Sequence, residues 1–249
     1  MSARLDGMNI ILTGGGAGIG RGILRQCVAV GAQVSVLEID PAARARVEAE
    51  GGAFHICDVG DPAALQEAIQ AIARETGPID GLVNNAGITI QVPFEEMTIA
   101  DMDLLWRVNQ RAVLVASQAV APLMRDTGGA IVNIASNHAR ASDSGYEAYA
   151  GTKGAIVAMT RAMTWSFGRR NVRVNALAPG LTLTEAVQAV AEESTARMDQ
   201  FRAWHATNTV NSVDDIGRIA AWLLSPDSAA LNGAEIIADQ GMTARLGAI

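Results

Sequence analysis

The chain has 249 residues, 49% hydrophobic and 18% charged, which is ample material for a large buried core and excludes a disordered chain. A net charge of −7, the lack of any basic run able to track phosphates and an aromatic content of 4% argue against a nucleic-acid partner. No apolar run approaches the ~18 residues that cross a membrane, the N-terminal segment lacks the form of a secretory signal, and Cys27 and Cys57 are too few for a disulfide framework. The expectation is a cytoplasmic protein with reduced thiols and no membrane partner.

Short apolar runs then alternate with helical patterns. The first run, 9–13 (NIILT), leads into glycines and a helical pattern over 21–30. Runs follow at 33–38 (QVSVLE) and 53–57 (AFHIC). Asp61-Pro62 marks a helix start, with Asp as cap and Pro in the first turn; Leu65, Ala68, Ile69 and Ile72 keep helical spacing until Gly77-Pro78. After the run at 81–84 (GLVN), Thr98 and Asp101 have capping-box spacing. Further runs occupy 130–135 (AIVNIA), 172–177 (VRVNAL) and 234–238 (AEIIA), with a second capping box at Ser212 and Asp215.

Several runs are apolar at nearly every position, as strands are when helices cover both faces. Their alternation with helices predicts an α/β fold, a doubly wound parallel sheet in three α/β/α layers, as a single domain over 1–249. Residues 181–211 hold no strand candidate. They predict an inserted helical flap with Ala186, Val187, Val190, Met198, Phe201 and Trp204 on its apolar side.

Between the first strand and helix stands Thr13-Gly14-Gly15-Gly16-Ala17-Gly18-Ile19-Gly20. Glycines let the backbone approach a pyrophosphate, and the helix N-terminus offers it unpaired N–H groups and partial positive charge. The second strand ends in Glu38, 18 positions beyond Gly20. A carboxylate there accepts from a ribose 2′-hydroxyl and repels a 2′-phosphate. Ala17 and Ile39, where a basic residue could hold that phosphate, are apolar. The pattern favours NAD over NADP, against which stand Arg21, Arg44 and Arg46 nearby in sequence.

With these residues in place the chain resembles the short-chain dehydrogenase/reductase family, in its single-domain branch. Thr13-Gly14 with Gly18 and Gly20 fits its TGxxxGxG, and Asn84-Asn85-Ala86-Gly87 its NNAG. Ser136 lies 13 residues before Tyr149, Tyr149 to Lys153 is its YxxxK, and Pro179-Gly180 with Thr184 is its PG turn. One departure is Asp239-Gln240-Gly241, where the family often has Asp-Gly-Gly. The resemblance spans essentially the whole chain and implies a Rossmann-type fold.

Tyr149 and Lys153 are four apart on a predicted helix and share one face. An ammonium beside a phenol is expected to pull its pKa down from about 10, towards values useful for acid/base work. Ser136 lies just past a strand end, where its hydroxyl can donate to a carbonyl oxygen. The resemblance gives Ser136, Tyr149 and Lys153 catalytic roles and adds Asn109, which would hold a water linking Lys153 to solvent. It also implies that Ile19 lies in the cofactor turn and that Asp58 and Val59 hold the adenine. Asn85, Ala86 and Gly87 would flank the adenosine ribose, and Pro179, Gly180, Thr182 and Thr184 approach the nicotinamide. Lys153 would also bond the nicotinamide ribose.

No catalytic metal is expected, because His55, His138 and His205 have no ligand spacing with each other or with Cys57. The segment 137–146 and the flap should line the substrate pocket. Asn137, His138 and Tyr146 are the candidate contacts, with Arg140, Asp143, Arg197, Arg202 and His205 as further polar groups. The mixture suits a small hydroxylated or acidic substrate. The sequence therefore predicts an NAD-dependent enzyme interconverting a secondary alcohol and a ketone. The alternatives are an NADP-linked carbonyl reductase and a dinucleotide-binding scaffold without turnover. The family's usual homotetramer would form through long helices over about 101–127 and 148–168, the second of which carries Ala155, Val157, Met159 and Trp165.

Overall fold

The continuous apolar runs become the centre of the molecule. A computed structural model describes residues 4–192 and 194–246. Its strands are β1 (Asn9–Thr13), β2 (Gln33–Glu38), β3 (Ala53–Ile56), β4 (Gly81–Asn84), β5 (Gly129–Ile134), β6 (Val172–Pro179), the two-residue β7 (Thr182–Leu183) and β8 (Asn211–Ser212), and β9 (Glu235–Ala238). Seven of them form one parallel sheet in the order β3-β2-β1-β4-β5-β6-β9. The order reverses at β1 and β4, so a crevice opens beyond their carboxyl ends, where doubly wound sheets bind ligands.

The helices are α1 (Gly18–Ala29), α2 (Arg44–Ala49), α3 (Pro62–Thr76), α4 (Ile99–Leu105), α5 (Ala112–Val120), α6 (Glu147–Phe167), α7 (Glu185–Glu192), α8 (Thr195–Ala203) and α9 (Val213–Leu224). Alternate strand residues feed opposite cores. Ile10, Leu12, Val36 and Val132 pack with Ile23 and Leu24 of α1 and Ile216 of α9. Ile11, Leu82, Ile131 and Val174 pack with Leu65 and Ile69 of α3, Val113 of α5 and Ile156 of α6. Each such side chain, fully buried, contributes about 1.5–3 kcal/mol of hydrophobic stabilisation. The result is a Rossmann-like sandwich with helices on both faces.

Local signals hold at the helix ends. The Asp61 carboxylate accepts from the Ala63 and Ala64 N–H groups, and both capping boxes form, Thr98 with Asp101 and Ser212 with Asp215. The expected helix over 101–127 is a compound one. A π-turn at Trp106–Arg111 joins α4 to α5, and a 3-10 turn containing Pro122 ends the helical stretch at Leu123.

The flap needs a larger correction, because it does contain strands. Thr182 pairs with Asn211 and Leu183 with Ser212, closing its base with a parallel ladder too short to show any periodicity. Within it, Ala191, Phe201 and Val210 are buried against Val187, Met198 and Trp204. Ala186 and Val190, expected on the apolar side, are exposed. At the departure from Asp-Gly-Gly, Gln240 adopts φ +52°. Glycine enters that left-handed region without steric penalty, whereas glutamine does so under strain.

Candidate active site

The glycine turn is fixed before any ligand is considered. Gly14 has φ +68°, and a Cβ on it would lie 2.9 Å from Ala86 Cα. A Cβ on Gly20 would fall 1.8 Å from the Gly14 carbonyl oxygen, so this turn admits no side chain there. The Asn85 amide donates to the Thr13 and Gly14 carbonyls at 3.1 and 2.7 Å. Thr13 Oγ1 accepts from the Asn85 and Ala86 N–H groups, both at 3.0 Å. Asn84, one residue earlier, turns inward and donates to Asn133 Oδ1 (2.8 Å) and Ser117 Oγ (3.1 Å), tying β4 to β5 and α5. The two asparagines thus brace the turn and the sheet beside it.

A cavity of about 730 Å³ runs over this turn. It is lined at one end by Gly14, Ile19, Gly20, Glu38, Asp58 and Val59, then by Asn85, Ala86 and Gly87. Ser136, Tyr149, Lys153, Pro179, Gly180 and Thr184 line the other end. Gly18 is not among the lining residues; it packs against Thr184, which is. Thr182 instead lies buried in the β7–β8 pair, its hydroxyl donating to the Gly180 carbonyl at 2.9 Å.

Glu38 is held rather than free. One carboxylate oxygen accepts from Gly16 N–H at 2.9 Å, the other from Ile39 and Asp40 N–H at 2.9 and 3.2 Å. The three arginines near it in sequence have other partners. Arg21 pairs with Glu50 at 2.7 Å, Arg46 faces Asp40 at 3.8 Å, and Arg44 lies over the Phe54 ring. None of the three lines the cavity, whereas Ala17 and Ile39 do.

At the opposite end, the Lys153 ammonium donates to the Ile134 carbonyl at 3.0 Å and lies 5.7 Å from the centre of the Tyr149 ring. Burial pushes the Lys153 pKa down to about 8. Tyr149 departs from expectation. Burial raises its phenol above the ordinary value of 10, and the pull in the other direction comes from the Ser136 and Thr89 hydroxyls. Desolvation of the phenolate outweighs these two neighbours, and the lysine does not reverse it.

Asn109 lies in the π-turn and is buried. Its side chain accepts from Ile88 N–H and donates to the Ile88 carbonyl, both at 2.8 Å, and donates to Thr152 Oγ1 at 3.3 Å. It therefore clamps the segment that carries Thr89 to the helix that carries Tyr149. Thr89 was not singled out from sequence; its place just after the NNAG segment was the available signal.

None of the expected substrate contacts, Asn137, His138 and Tyr146, lines the main cavity; His138 and Tyr146 pack beside Tyr149 at its margin. His138 packs between two tyrosines, with ring centres 4.6 Å from Tyr146 and 5.5 Å from Tyr149, and burial lowers its pKa. Its Nδ1 bonds Ser142 at 2.9 Å, while the Tyr146 hydroxyl donates to Gln91 Oε1 at 2.8 Å. The Asn137 amide nitrogen lies 3.5 Å from the Met242 sulfur, while its Oδ1 accepts from the Ser136 hydroxyl at 3.4 Å. Arg140 pairs with Glu235 on β9. His205 is buried within the flap, its Nδ1 2.7 Å from the Phe201 carbonyl oxygen, and lines a separate cavity with Trp204 and Gly241, not the main one. Among the described residues no cluster of three or more His, Cys, Asp or Glu is placed to hold a metal ion, and no helix is long and apolar enough to cross a membrane.

A family model described as enoyl-(acyl carrier protein) reductase matches residues 14–243. The chain is 33% identical to D-threitol dehydrogenase of Mycolicibacterium smegmatis over 96% of its own length and 94% of the relative's. It is 34% identical to gluconate 5-dehydrogenase of Gluconobacter oxydans, covering 97% of each chain. A short-chain dehydrogenase from Burkholderia cenocepacia, solved in complex with NADP, superposes with a TM-score of 0.87 at 33% identity, covering 96% of this chain and 99% of that one. The glycine turn, the braced NNAG segment and the Ser136, Tyr149 and Lys153 side chains around one cavity belong to an oxidoreductase acting on CH–OH groups: the chain is a member of the short-chain dehydrogenase/reductase family.

Proposed function

We propose that the protein is an NAD-dependent dehydrogenase interconverting a secondary alcohol and a ketone on a small polyol or sugar acid. The observation that carries this is a single cavity with a backbone-held carboxylate, Glu38, at one end and the Tyr149, Ser136 and Lys153 side chains at the other. The residues present fit a nicotinamide dinucleotide. Ile19 and Gly20 would offer backbone N–H groups to its diphosphate, as would Gly18 once its N–H is freed of the Glu185 carboxylate that holds it; Glu38 would accept from the adenosine ribose, and Asp58 and Val59 would face the adenine. Pro179, Gly180 and Thr184 border the nicotinamide.

When bound, the cofactor supplies the hydride acceptor. Tyr149 takes the alcohol proton, Ser136 donates to the reacting oxygen, and the Lys153 ammonium holds the nicotinamide ribose and offsets charge on the phenolate. Asn109 keeps the Ile88–Thr89 segment and the water relay behind Lys153 in register. His138 and Tyr146 form an aromatic wall beside Tyr149. The substrate class follows the names of the similar proteins, which act on threitol and gluconate. Apolar groups left uncovered on the outer helices, including Trp165 (88% exposed) and Ile99 (71%), support self-association, with the family's usual homotetramer as the proposed assembly.

A second reading, an NADP-linked reductase, is favoured by the NADP complex of the Burkholderia protein. A turnover panel of polyols, sugar acids, hydroxy acids and cyclic alcohols, run with NAD and with NADP, separates the two. NAD reduction with a polyol or sugar acid is the expected result. Preference for NADP would overturn the cofactor assignment, and cofactor binding without turnover on any alcohol would leave a scaffold.

A further inference from the structure

The turn assigned above to the cofactor diphosphate already carries an anion from within the chain. Glu185, the first residue of α7, accepts from Gly18 N–H through Oε2 at 2.9 Å. Its other oxygen lies 3.8 Å from Arg21 Nη1. Gly18 opens α1, so its N–H has no partner within the helix, and the N-cap residue, Ala17, has no side chain that could supply one. Glu185 does so from 167 residues away in sequence. Thr184 packs on the same glycine, its Cγ2 being 3.1 Å from where a Gly18 Cβ would stand. The Thr184 hydroxyl and carbonyl accept from Val187 and Gln188 N–H, at 3.3 and 2.8 Å, and so start α7. One carboxylate therefore ties the flap's first helix to the anion-binding end of α1.

We infer that Glu185 is a latch that sets cofactor affinity: it holds the flap on the glycine turn and is displaced by the dinucleotide's diphosphate. The inference rests on the dinucleotide reading given above. A helix N-terminus presents about half a positive charge, and two anions competing for it repel one another. The Glu185 side chain is 61% exposed, so it can swing away without opening a core, and Arg21 is near enough to receive it. Displacement exchanges the carboxylate's tie for the dinucleotide and leaves Thr184, which packs on Gly18, as the contact between the start of α7 and the turn. The diphosphate is common to NAD and NADP. Glu185 therefore acts on both alike, unlike Glu38 at the ribose.

Two variants test this. Glu185→Gln keeps the size and removes the charge; Glu185→Ala removes the contact as well. Titrated with NADH and with NADPH, both variants should bind both cofactors about threefold tighter than the wild type, the scale of one exposed charge at a helix N-terminus. Without cofactor, amide hydrogen exchange over residues 14–20 should be faster in Glu185→Ala than in the wild type, and saturation with NADH should remove the difference. Equal or weaker binding in both variants overturns the latch, as does an effect confined to one cofactor. A wild type that binds neither dinucleotide defeats the dehydrogenase reading and the latch together. A wild type that binds and turns over, with variants of unchanged affinity, defeats the latch alone.

Discussion

The glycine turn and the flap lie against the same cavity, but they are held by different means. The turn sits on β1, registered with β2 through five residue pairs, and its loop is pinned by Asn85 and Thr13 through short hydrogen bonds. The flap rests on a small apolar cluster of its own, built on Ala191, Phe201 and Val210, on a two-residue ladder at its base, on hydrogen bonds from Ala206, Thr207 and Asn211 to Ala238 and Gln240, and on the Glu185 contact. Regions with few buried contacts open at lower free energy than the core that carries them. The difference is one of anchorage: the turn is held through the sheet, whereas the flap is held mainly by its own small cluster and by contacts at its base.

The largest effect that tests this division is catalytic. Tyr149→Phe keeps the ring and its packing against His138 and removes the hydroxyl proposed as the acid/base group. General acid/base catalysis is worth ~10²–10⁴-fold, so kcat should fall at least ~10²-fold, while the Kd for NADH and the melting temperature stay near wild type. Retention of near-normal turnover would refute Tyr149 as the acid/base group.

Stability should divide in the same way. Ile131, fully buried at the centre of β5, lies in the larger core, and Ile131→Ala should lower global stability by about 2–5 kcal/mol. Phe201 is buried only within the flap. Phe201→Ala should leave the main thermal transition nearly in place while speeding hydrogen exchange across 185–203 and raising the KM for substrate. Equal loss of global stability in both variants would make flap and sheet one cooperative unit.

The same division decided what could be read from sequence. Strands of the sheet are continuous apolar runs, and the glycine turn and capping boxes are local patterns, so their positions were legible within a residue or two. What escaped depends on distant partners. The π-turn around Asn109 accompanies side-chain bonds to Ile88, 21 residues away, and no local pattern announces it. The β7–β8 ladder is two residues long, and the Glu185–Gly18 contact spans the chain. The direction of the Tyr149 shift was missed for a related reason. Charge proximity is visible in YxxxK, whereas the depth of burial that outweighs it is a property of the assembled fold.

A smaller effect concerns the adenosine end. Glu38 should give at least tenfold preference for NAD over NADP, about 1.4 kcal/mol. Glu38→Ser should narrow that ratio without changing kcat at saturating cofactor. Because its carboxylate also accepts from Gly16, Ile39 and Asp40 N–H, the variant should loosen the turn slightly for both cofactors. An unchanged ratio in competition binding would place the ribose contact elsewhere.

The smallest effect is in pH dependence, and it marks the rigid half by a buried cation. Lys153 is buried, and its pKa in the fold is about 8, below the 10.5 of an ordinary lysine. Below about pH 8 both folded and unfolded chains carry this proton, and the folded state bears the full penalty of a desolvated ammonium. Between about 8 and 10.5 the unfolded chain binds more protons than the folded one, so this group makes stability rise with pH across that window. The slope from one group cannot exceed about 1.4 kcal/mol per pH unit. Lys153→Met, which fills the same space without titrating, should lack that rise, so the difference in stability between wild type and variant should shift towards the wild type as pH increases through the window. Arg197→Met, altering an exposed cation of the flap, serves as the control and should run parallel to wild type. Denaturant midpoints measured across the window decide it. A wild-type curve parallel to that of Lys153→Met would mean that Lys153 keeps its proton in the fold, stabilised by the Ile134 carbonyl more strongly than its burial implies.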